Sequence, residues 1–563
     1  MKEPVTAAAA APPVADERAA AGRRPNIRRR VLAWAGFLLL AAAGLFTLYL
    51  RQSLLGPFNS DGASAVRQAQ AILHGNVLLS GWWTADVSFY TTELPEYVLV
   101  TAFRGLRPDV VHICGALTYT LTVLLGALLA KGRATGREGL VRALLAAGVM
   151  LAPAILGGTE VFLENPDHAG TAVPILAVFL LLDLAPERWY VPVVVCVLLA
   201  WIQVGDGLSL AVATAPIAAV AVVRLAMSAV RRRPLAEFRY DALLFAAAAI
   251  SNELANLAQR AIRAHGGFDL RSLPHQLIAP ASEVRANVHV MLQTISLLFG
   301  VSSPDRAHPQ LTGIAQLHWA GLALAAAGLV VAVVTFFLPR ADRVSQIVTA
   351  ATVATLAVGV FGTLVRSLAS AHEVAILLPF GAVLAGRMLP PLVARWASAR
   401  ASRASLVAWV AEPLIAVWLA ANLAALCYAA TWAPIGPPSA GLVNWLVSHH
   451  YTAGLAGYWQ ASSVTVASGG QVSVAPVTPS AGSVRRWEAW DGWYDPARQK
   501  ASFVIAVNDP DTSSGGELSA SVVRRYYGRP AREYAVGQYR IMVYDYNLLT
   551  RVAQRAFPGA FPA

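Results

Sequence analysis

Residues 56–63 read GPFNSDGA and come after the first long apolar run of the chain, residues 31–50, with five residues between them. Asp61 is the lone acid of this stretch and comes just past the end of a predicted membrane span. Small and apolar residues from Ala65 to Ile72 recur at helical spacing, and Gly75-Asn76 provides a turn after them. The pattern predicts a short helix at one membrane face with an acid at its beginning.

The residues that follow this helix are aromatic and then acidic. Trp82 and Trp83 come first, and Glu93-Leu94-Pro95 leads into the next apolar run. We therefore predict that residues 51–108 form one long loop on the outer face of a membrane, between the first and second spans.

Composition places the whole chain in the class of polytopic membrane proteins. Of 563 residues, 56% are hydrophobic and only 13% are charged, whereas a soluble domain has about 25% charged residues. Apolar runs long enough to cross a hydrocarbon core recur along the chain. All three cysteines fall within such runs, so the sequence supports neither a disulfide framework nor a cysteine metal cluster.

The basic residues indicate membrane topology rather than nucleic-acid binding. The formal net charge is +12, but the arginines lie mainly in short loops between spans, which is the pattern of the positive-inside rule. Residues 1–30 are rich in Ala, Pro and Arg and are predicted to be disordered in the cytoplasm.

The apolar runs predict a bundle of about eleven membrane spans. A further apolar piece, residues 288–299, is too short to cross and is predicted to be interfacial or re-entrant. The odd number of spans places residues 431–563 outside, where a change to Ser, Gly, Thr and Tyr predicts a small α/β domain. The predicted spans are residues 31–50, 110–130, 140–158, 169–184, 190–205, 207–229, 240–262, 316–338, 345–365, 373–393 and 405–428.

The first outer loop resembles that of the GT-C superfamily of membrane glycosyltransferases, which includes the protein O-mannosyltransferases and the aminoarabinose transferases of lipid A. The matching residues are Asp61, Ala71-Ile72-Leu73, Gly75, Trp82-Trp83 and Leu94-Pro95-Glu96-Tyr97. The resemblance covers roughly the first 400 residues, here taken as a membrane domain from 31 to 430. It implies transfer of a sugar from a polyprenyl phosphate, with inversion at the anomeric carbon.

Such chemistry needs a carboxylate that accepts or orients the proton of the acceptor. The resemblance implies Asp61 for this role, although an acid at this position could instead cap the helix that follows. A second group of candidates is Glu164, Asp167 and His168, in the loop between spans three and four. The alternative for this group is a polar turn in which Asp167 caps the fourth span.

The departing phosphate needs cationic groups. Arg366 and His372 flank a predicted outer turn between spans nine and ten, and we expect them to bind the donor phosphate. Trp82, Trp83 and Glu93 are expected to contribute to substrate binding through the resemblance. The sequence does not decide whether a pair of carboxylates also binds a divalent cation.

A cluster of aromatic residues marks the predicted outer domain. The segment 485–494 reads RRWEAWDGWY, and its Trp490 and Trp493 are expected to bind a sugar ring of the acceptor by stacking. The alternative is that these rings form the core of a small domain. The charged residues between them suit a polar glycan better than a lipid tail.

The sequence therefore predicts a multi-pass glycosyltransferase of the cell membrane. Its partners would be a polyprenyl-phosphate-linked sugar, membrane lipid and a glycan, glycolipid or protein acceptor, with no nucleic acid. Two alternatives remain: a transporter or flippase of envelope precursors, and a non-catalytic assembly protein built on the same scaffold. Against a transporter, the sequence has neither detectable inverted repeats nor paired broken spans.

Overall fold

The computed structural model describes residues 27–155, 158–164, 167–231, 235–270, 277–301, 311–338, 341–398, 401–480, 482–510 and 516–556. The prediction of disorder for residues 1–30 therefore falls almost wholly outside the described residues. The chain divides into two compact units, one ending at Leu45 and one beginning at Phe46. Within the first unit, the described residues are helical.

Helices make up most of the second unit. The first helix, α1, belongs to both units, because it crosses the boundary at Leu45. The helices up to residue 430 are, in chain order, α1 Ile27–Ser53, α2 Ser60–Leu73, α3 Leu94–Arg104, α4 Asp109–Lys131, α5 Gly136–Met150, α6 Ala172–Leu184, α7 Tyr190–Gly205, α8 Ala215–Val230, α9 Leu235–Ala264, α10 Ala281–Leu298, α11 Leu311–Thr335, α12 Arg343–Phe361, α13 Leu377–Ser398 and α14 Ala401–Ala429. Two π-helical turns, Glu160–Glu164 and Leu210–Thr214, and one 3₁₀ helix, Leu368–Val374, interrupt the connections.

The predicted bundle of helices is confirmed. A helix lies at each of the eleven predicted span positions, and seven of them among the described residues are long and apolar enough by themselves to cross a membrane. Those seven include α4, α12 and α13, whose inward faces share one apolar core with α6, α7 and α8. The chain is thus a membrane protein. The predicted interfacial piece, residues 288–299, forms the second half of the 18-residue helix α10 and ends at its C-cap, Phe299.

The region after residue 430 contains the predicted small sheet. Its helices are α15 Ala440–Ser448, α16 Tyr458–Ala467, α17 Ala520–Tyr527 and α18 Leu548–Ala556. Its five-stranded sheet is formed by β2 Ala453–Ala456, β3 Ser473–Pro476, β5 Phe503–Val507, β6 Arg532–Val536 and β7 Tyr539–Val543. Two further short strands form a separate pair: β1 Trp82–Trp83, in the predicted outer loop, and β4 Ala489–Trp490. The five strands have the order β3-β2-β5-β7-β6, parallel at β3-β2-β5 and antiparallel from β5 onward.

The predicted outer loop, residues 51–108, and the sheet region share one hydrophobic core. Strand β1 pairs antiparallel with β4, so Trp82 lies opposite Trp490. Side chains from α2, α3 and the start of α4 pack in the same cluster as side chains from β2, β5 and α17. Because this core joins residues about 400 positions apart, the C-terminal region is fixed directly against the predicted outer loop.

Candidate functional site

A cavity of about 300 Å³ lies where the predicted outer loop, two further connections of the bundle and the sheet region meet. We call it the Asp61 cavity. The described residues that line it carry six carboxylates, two imidazoles and one guanidinium. These are Asp61, Asp86, Glu93, Asp167, Glu373 and Glu488, then His168 and His372, then Arg485.

Asp61 points to this cavity from the first turn of α2. The helix is capped by Asn59, whose side-chain oxygen accepts from the Gly62 N–H at 3.0 Å. Asp61 is therefore not the cap that the alternative interpretation required. Ser60 anchors the turn by donating to the Tyr458 carbonyl at 2.6 Å, and the Tyr458 hydroxyl donates to the Asp61 carboxylate.

The ionisation of Asp61 is set by its surroundings. Burial raises the pKa of its carboxyl, while the hydrogen bond from Tyr458 and the guanidinium of Arg485 oppose that rise. Burial also raises the pKa of Asp167, and the nearby charge of Asp61 raises it further. The two carboxyls are thus close enough to influence each other, as expected of groups that share a proton-handling site.

Glu93 forms another part of the acidic wall. It accepts from the Thr171 hydroxyl at 3.0 Å and from the hydroxyl of Thr92. Burial, with the charge of Asp206, raises the pKa of Glu93 to about 8. Gly170 makes room for this side chain, since a Cβ atom there would lie 2.4 Å from the Glu93 Cγ.

Glu488 reaches the cavity from the residue before β4. One carboxylate oxygen accepts from the Ser64 hydroxyl at 2.7 Å and the Gln68 amide at 2.6 Å, and the other accepts from the Ala85 N–H at 3.0 Å. Burial raises the pKa of Glu488 to about 7, although these hydrogen bonds oppose the rise. Glu488 therefore ties the sheet region to α2 as well as lining the cavity.

The two histidines also lie together in the lining of the cavity. Their rings stack with centroids 5.8 Å apart, and Glu373 lies between them, 3.3 Å from His168 Nε2. Asp206 contacts His168 Nδ1 at 2.9 Å. Burial disfavours charge on His168, but Asp206 and Glu373 outweigh it and raise the pKa well above the usual value, whereas burial and His168 lower that of His372 to about 4.

Three of these residues are placed so that they could hold a metal ion. One ligand atom from each of His168, His372 and Glu373 lies within 4.8 Å of the others. Two imidazoles and a carboxylate are a donor set that zinc and other first-row divalent ions use. The contact of Asp206 with the other nitrogen of His168 matches the carboxylate–histidine pairing that orients metal ligands.

The sheet region supplies the cationic and aromatic part of the lining. The Arg485 guanidinium stacks over the Tyr458 ring at 4.7 Å, and Trp459 and Trp487 complete this side. The sequence analysis pointed out the charged residues among the tryptophans of residues 485–494, but it assigned the binding of the sugar to Trp490 and Trp493. Arg485, two residues before Trp487, and Glu488, directly after it, were the available signal.

Backbone strain is concentrated at this cavity. Five described residues other than glycine have positive φ, and three of them line it: Phe89 at 48°, His168 at 47° and Glu488 at 48°. Such conformations persist where the surrounding structure holds them, often at functional sites.

Six of the predicted site residues lie outside this lining. Trp82 and Trp493 pack edge to face in the shared core with ring centroids 5.1 Å apart, and Trp493 is 7% exposed. Trp83 and Trp490 lie in the paired strands, where their indole N–H groups donate to Asp491 and to the Ser80 carbonyl at 3.1 Å. This placement matches the alternative interpretation of the aromatic segment as core.

The remaining two predicted residues lie on other surfaces. Glu164 ends a π-helical turn and lies against Gly56, and burial raises its pKa to about 8. Arg366 is exposed and forms an ion pair with Glu283 at 3.2 Å. Among the predicted residues, Asp61, Glu93, Asp167, His168 and His372 are thus the five that the structure brings together.

Comparison with solved structures finds a similar fold in a membrane protein of known structure. The chain is similar to ArnT from Cupriavidus metallidurans in the apo state, with a TM-score of 0.51, 13% identity and coverage of 93% of this chain and 100% of that one. The structure of the same ArnT bound to undecaprenyl phosphate gives a TM-score of 0.50 and 13% identity over 93% of this chain and 99% of that one. No protein-family model matches the sequence, and no curated protein matches it. At this identity the likeness concerns the fold.

Proposed function

We propose that the chain is a membrane glycosyltransferase that moves a sugar from a polyprenyl-phosphate donor to an acceptor of the cell envelope. The observation that carries this proposal is the meeting of Asp61, Asp167 and Arg485, from three distant parts of the chain, at one small cavity. The fold supports it, because a structure of ArnT with this fold is bound to undecaprenyl phosphate.

In the proposed reaction Asp61 is the general base. An acceptor hydroxyl or amine attacks the anomeric carbon from the side opposite the phosphate, and its proton passes to the Asp61 carboxylate. The bond between that carbon and the phosphate oxygen breaks, and the polyprenyl phosphate leaves with the electron pair. A carboxylate with a raised pKa is a stronger base than one in water, provided that it is ionised.

Arg485 takes the role that the sequence suggested for Arg366. Negative charge grows on the phosphate oxygens as the bond breaks, and a guanidinium held close to them stabilises this charge. The Tyr458 ring beneath the Arg485 guanidinium fixes its position. Tyr458 also donates to Asp61, so one side chain positions both the base and the cation.

Trp459 and Trp487 are the best-placed aromatic groups for the acceptor. Both line the cavity on the side of the sheet region, and an indole ring can stack on the apolar face of a sugar. A glycan, a glycolipid or a glycosylated segment of a protein all present such a face. We therefore place the acceptor on this side of the cavity.

A divalent cation forms a further part of the proposal. His168, His372 and Glu373 would hold it, and it would supply positive charge beside the acidic wall. Addition of zinc or manganese to chelator-treated protein should raise its melting temperature, and His372→Ala should abolish that rise. An equal rise in the variant would reject these residues as ligands.

The orientation in the membrane follows from the arginine distribution. We propose that the N-terminus is cytoplasmic, that the protein resides in the cell membrane, and that the Asp61 cavity and residues 431–563 face outward. The test is a reporter protein that works only in the cytoplasm, fused after Ala563. Activity of this reporter in cells would overturn the proposed orientation.

The decisive experiment is transfer by purified protein in liposomes. Radiolabelled polyprenyl-phosphate sugar is supplied with an extract of envelope acceptors, and label is followed into the non-lipid fraction. Appearance of labelled acceptor supports the transferase. Movement of the labelled lipid between leaflets without transfer would favour the flippase, and neither result would favour the assembly protein.

A further inference from the structure

A second, larger cavity lies at the other end of the helix bundle. Helix α4 begins at Asp109, beside the core that holds α2, and ends at Lys131 about 33 Å away at 1.5 Å per residue. Helix α13 begins four residues after Glu373 of the Asp61 cavity and continues to Arg387 and beyond. Both helices therefore run from the Asp61 cavity to this second cavity, which we call the Arg387 cavity.

The Arg387 cavity has a volume of about 1030 Å³ and a basic lining. Its described lining residues include six arginines and four carboxylates, which leaves an excess of positive charge. The arginines are Arg133, Arg142, Arg224, Arg343, Arg387 and Arg395.

Most of these arginines form the wall of the cavity. Arg387 is 7% exposed and binds Asp183 through two nitrogens at 3.0 and 3.1 Å, and it also binds Asp342 at 2.6 Å. Gly132 lets α4 end against this pair, since a Cβ atom there would lie 2.6 Å from an Asp183 carboxylate oxygen. Arg343 pairs with Asp241 at 3.0 Å and with Glu187 at 2.5 Å. The buried pairs Arg387–Asp183 and Arg343–Asp241 give the cavity a fixed shape.

Arg142 differs from the arginines of the wall. Its side chain is 18% exposed, and one terminal nitrogen donates to the half-exposed Glu138 at 2.5 Å. Its Nε atom is buried and has no hydrogen-bond partner among the described residues. Arg142 nevertheless lines the cavity and keeps part of its side chain exposed, so its guanidinium can meet an anionic group that enters the cavity.

The remaining wall of the cavity is apolar. It is formed by the ends of α11 and α13, with Phe336, Leu338, Pro391 and Leu392. Leu338 and Leu392 line the cavity and are also 52% and 48% exposed, so the apolar wall continues onto the outer surface of the bundle. A ligand that fits both walls carries an anionic head and an apolar tail.

We propose that the Arg387 cavity binds the phosphate group of an anionic membrane lipid, with Arg142 as a direct ligand and the acyl chains against α11 and α13. Basic pockets between membrane helices recognise lipid phosphates by this combination of charge and apolar surface. The proposal does not depend on the transferase activity. Its failure would leave the Asp61 cavity unaffected.

The test is lipid retention by purified protein in detergent, measured by native mass spectrometry. The wild type is titrated with phosphatidylglycerol and with phosphatidylcholine of the same acyl chains. We expect at least one retained phosphatidylglycerol, and about fivefold weaker retention in Arg142→Ala, the usual effect of one arginine near a lipid headgroup. Excess inorganic phosphate should not displace the lipid.

Glu138→Ala is the matched control because it breaks the same ion pair from the other side. If Arg142 contacts the lipid, removal of Glu138 should leave retention unchanged or strengthen it. Equal weakening in Arg142→Ala and Glu138→Ala, both folded by thermal melting, would show that only the ion pair matters and would overturn the proposal. Equal retention of the two lipids, or displacement by inorganic phosphate, would also overturn it.

Discussion

The Asp61 cavity and the Arg387 cavity lie at opposite ends of the same helices but have opposite charge. Six carboxylates and one arginine line the first, and six arginines and four carboxylates line the second. In the Arg387 cavity the acids sit against guanidinium groups, as Asp183 does against Arg387 at 3.0 Å. In the Asp61 cavity, Asp61, Glu93 and Glu488 accept instead from hydroxyls and amides.

The two kinds of hydrogen-bond partner, guanidinium groups in the Arg387 cavity and neutral donors in the Asp61 cavity, have different consequences for the carboxyl groups. Buried ions that are paired and hydrogen-bonded fix a shape, and removal of one partner leaves the other exposed to a large desolvation cost. Carboxyls held by neutral donors keep raised pKa values and can exchange protons near neutral pH. The comparison therefore favours the Asp61 cavity as the place of the proposed chemistry, and the four predictions that follow test this proposal from the largest effect to the smallest.

The largest effect is expected for Asp61→Asn. The amide can still accept the Tyr458 hydrogen bond, but it cannot take the proton of the acceptor. Transfer should fall by about 10²–10⁴-fold, the usual contribution of a positioned base, with unchanged expression and melting temperature. Unchanged turnover in a well-folded variant would remove Asp61 from the reaction.

The next effect distinguishes packing from binding among the tryptophans. Trp493→Ala should lower the free energy of unfolding by about 3–5 kcal/mol, because the ring is buried between Trp82 and the Arg67 guanidinium. Trp487→Ala, at the cavity, should keep stability and raise the KM for acceptor. Thermal melting and acceptor titration of both variants check this pair, and a stable Trp493→Ala protein would contradict the packing role.

A similar contrast applies to two arginines. Arg485→Ala should lower kcat/KM by about 10²-fold, since a cation at the departing phosphate would be lost. Arg366→Ala should stay close to wild type, because Arg366 is exposed and paired with Glu283. Steady-state kinetics on the two variants decide between them, and the reverse order of effects would restore the sequence-based assignment.

The smallest effect concerns the pH dependence of stability. Because the pKa of Glu488 is raised to about 7 in the folded state, the folded protein binds more protons than the unfolded chain above pH about 4.5. This contribution is therefore most favourable at low pH, and stability should fall as the pH rises to about 7.

Glu488→Gln should flatten that fall and stabilise the protein at pH 8 by about 1–3 kcal/mol. Melting curves of wild type and variant in detergent at pH 5 and pH 8 measure it. A variant with the same slope as the wild type would show that Glu488 is not the group that titrates.

The sequence predicts the bundle well because each span is a local pattern. The apolar runs place all eleven helices, and the arginine-rich loops between them include residues of the Arg387 cavity. Asp61, Asp167, His168 and His372, which the sequence singles out as candidates, all line one cavity, and each follows or precedes a span on the predicted outer face. Membrane topology alone therefore brings these residues to one end of the bundle.

The rest of the site depends on contacts that no local pattern encodes. Tyr458 and Asp61 are 397 positions apart, and their hydrogen bond exists only because the sheet region packs against α2. The same packing explains why Trp490 and Trp493 are taken into the core while Arg485 and Trp487 reach the cavity. Asn59, rather than Asp61, caps α2 because its backbone is extended there, which only the structure reveals.

The most direct test of the central claim is to locate the donor on the protein. A polyprenyl phosphate with a photoreactive group next to its phosphate is bound to the purified protein, irradiated, and mapped by peptide mass spectrometry. We predict crosslinks to the start of α2 and to residues 458–459 and 485–488, reduced in Arg485→Ala. Crosslinks confined to the Arg387 cavity, or unchanged by Arg485→Ala, would contradict the assignment of the Asp61 cavity as the site of transfer.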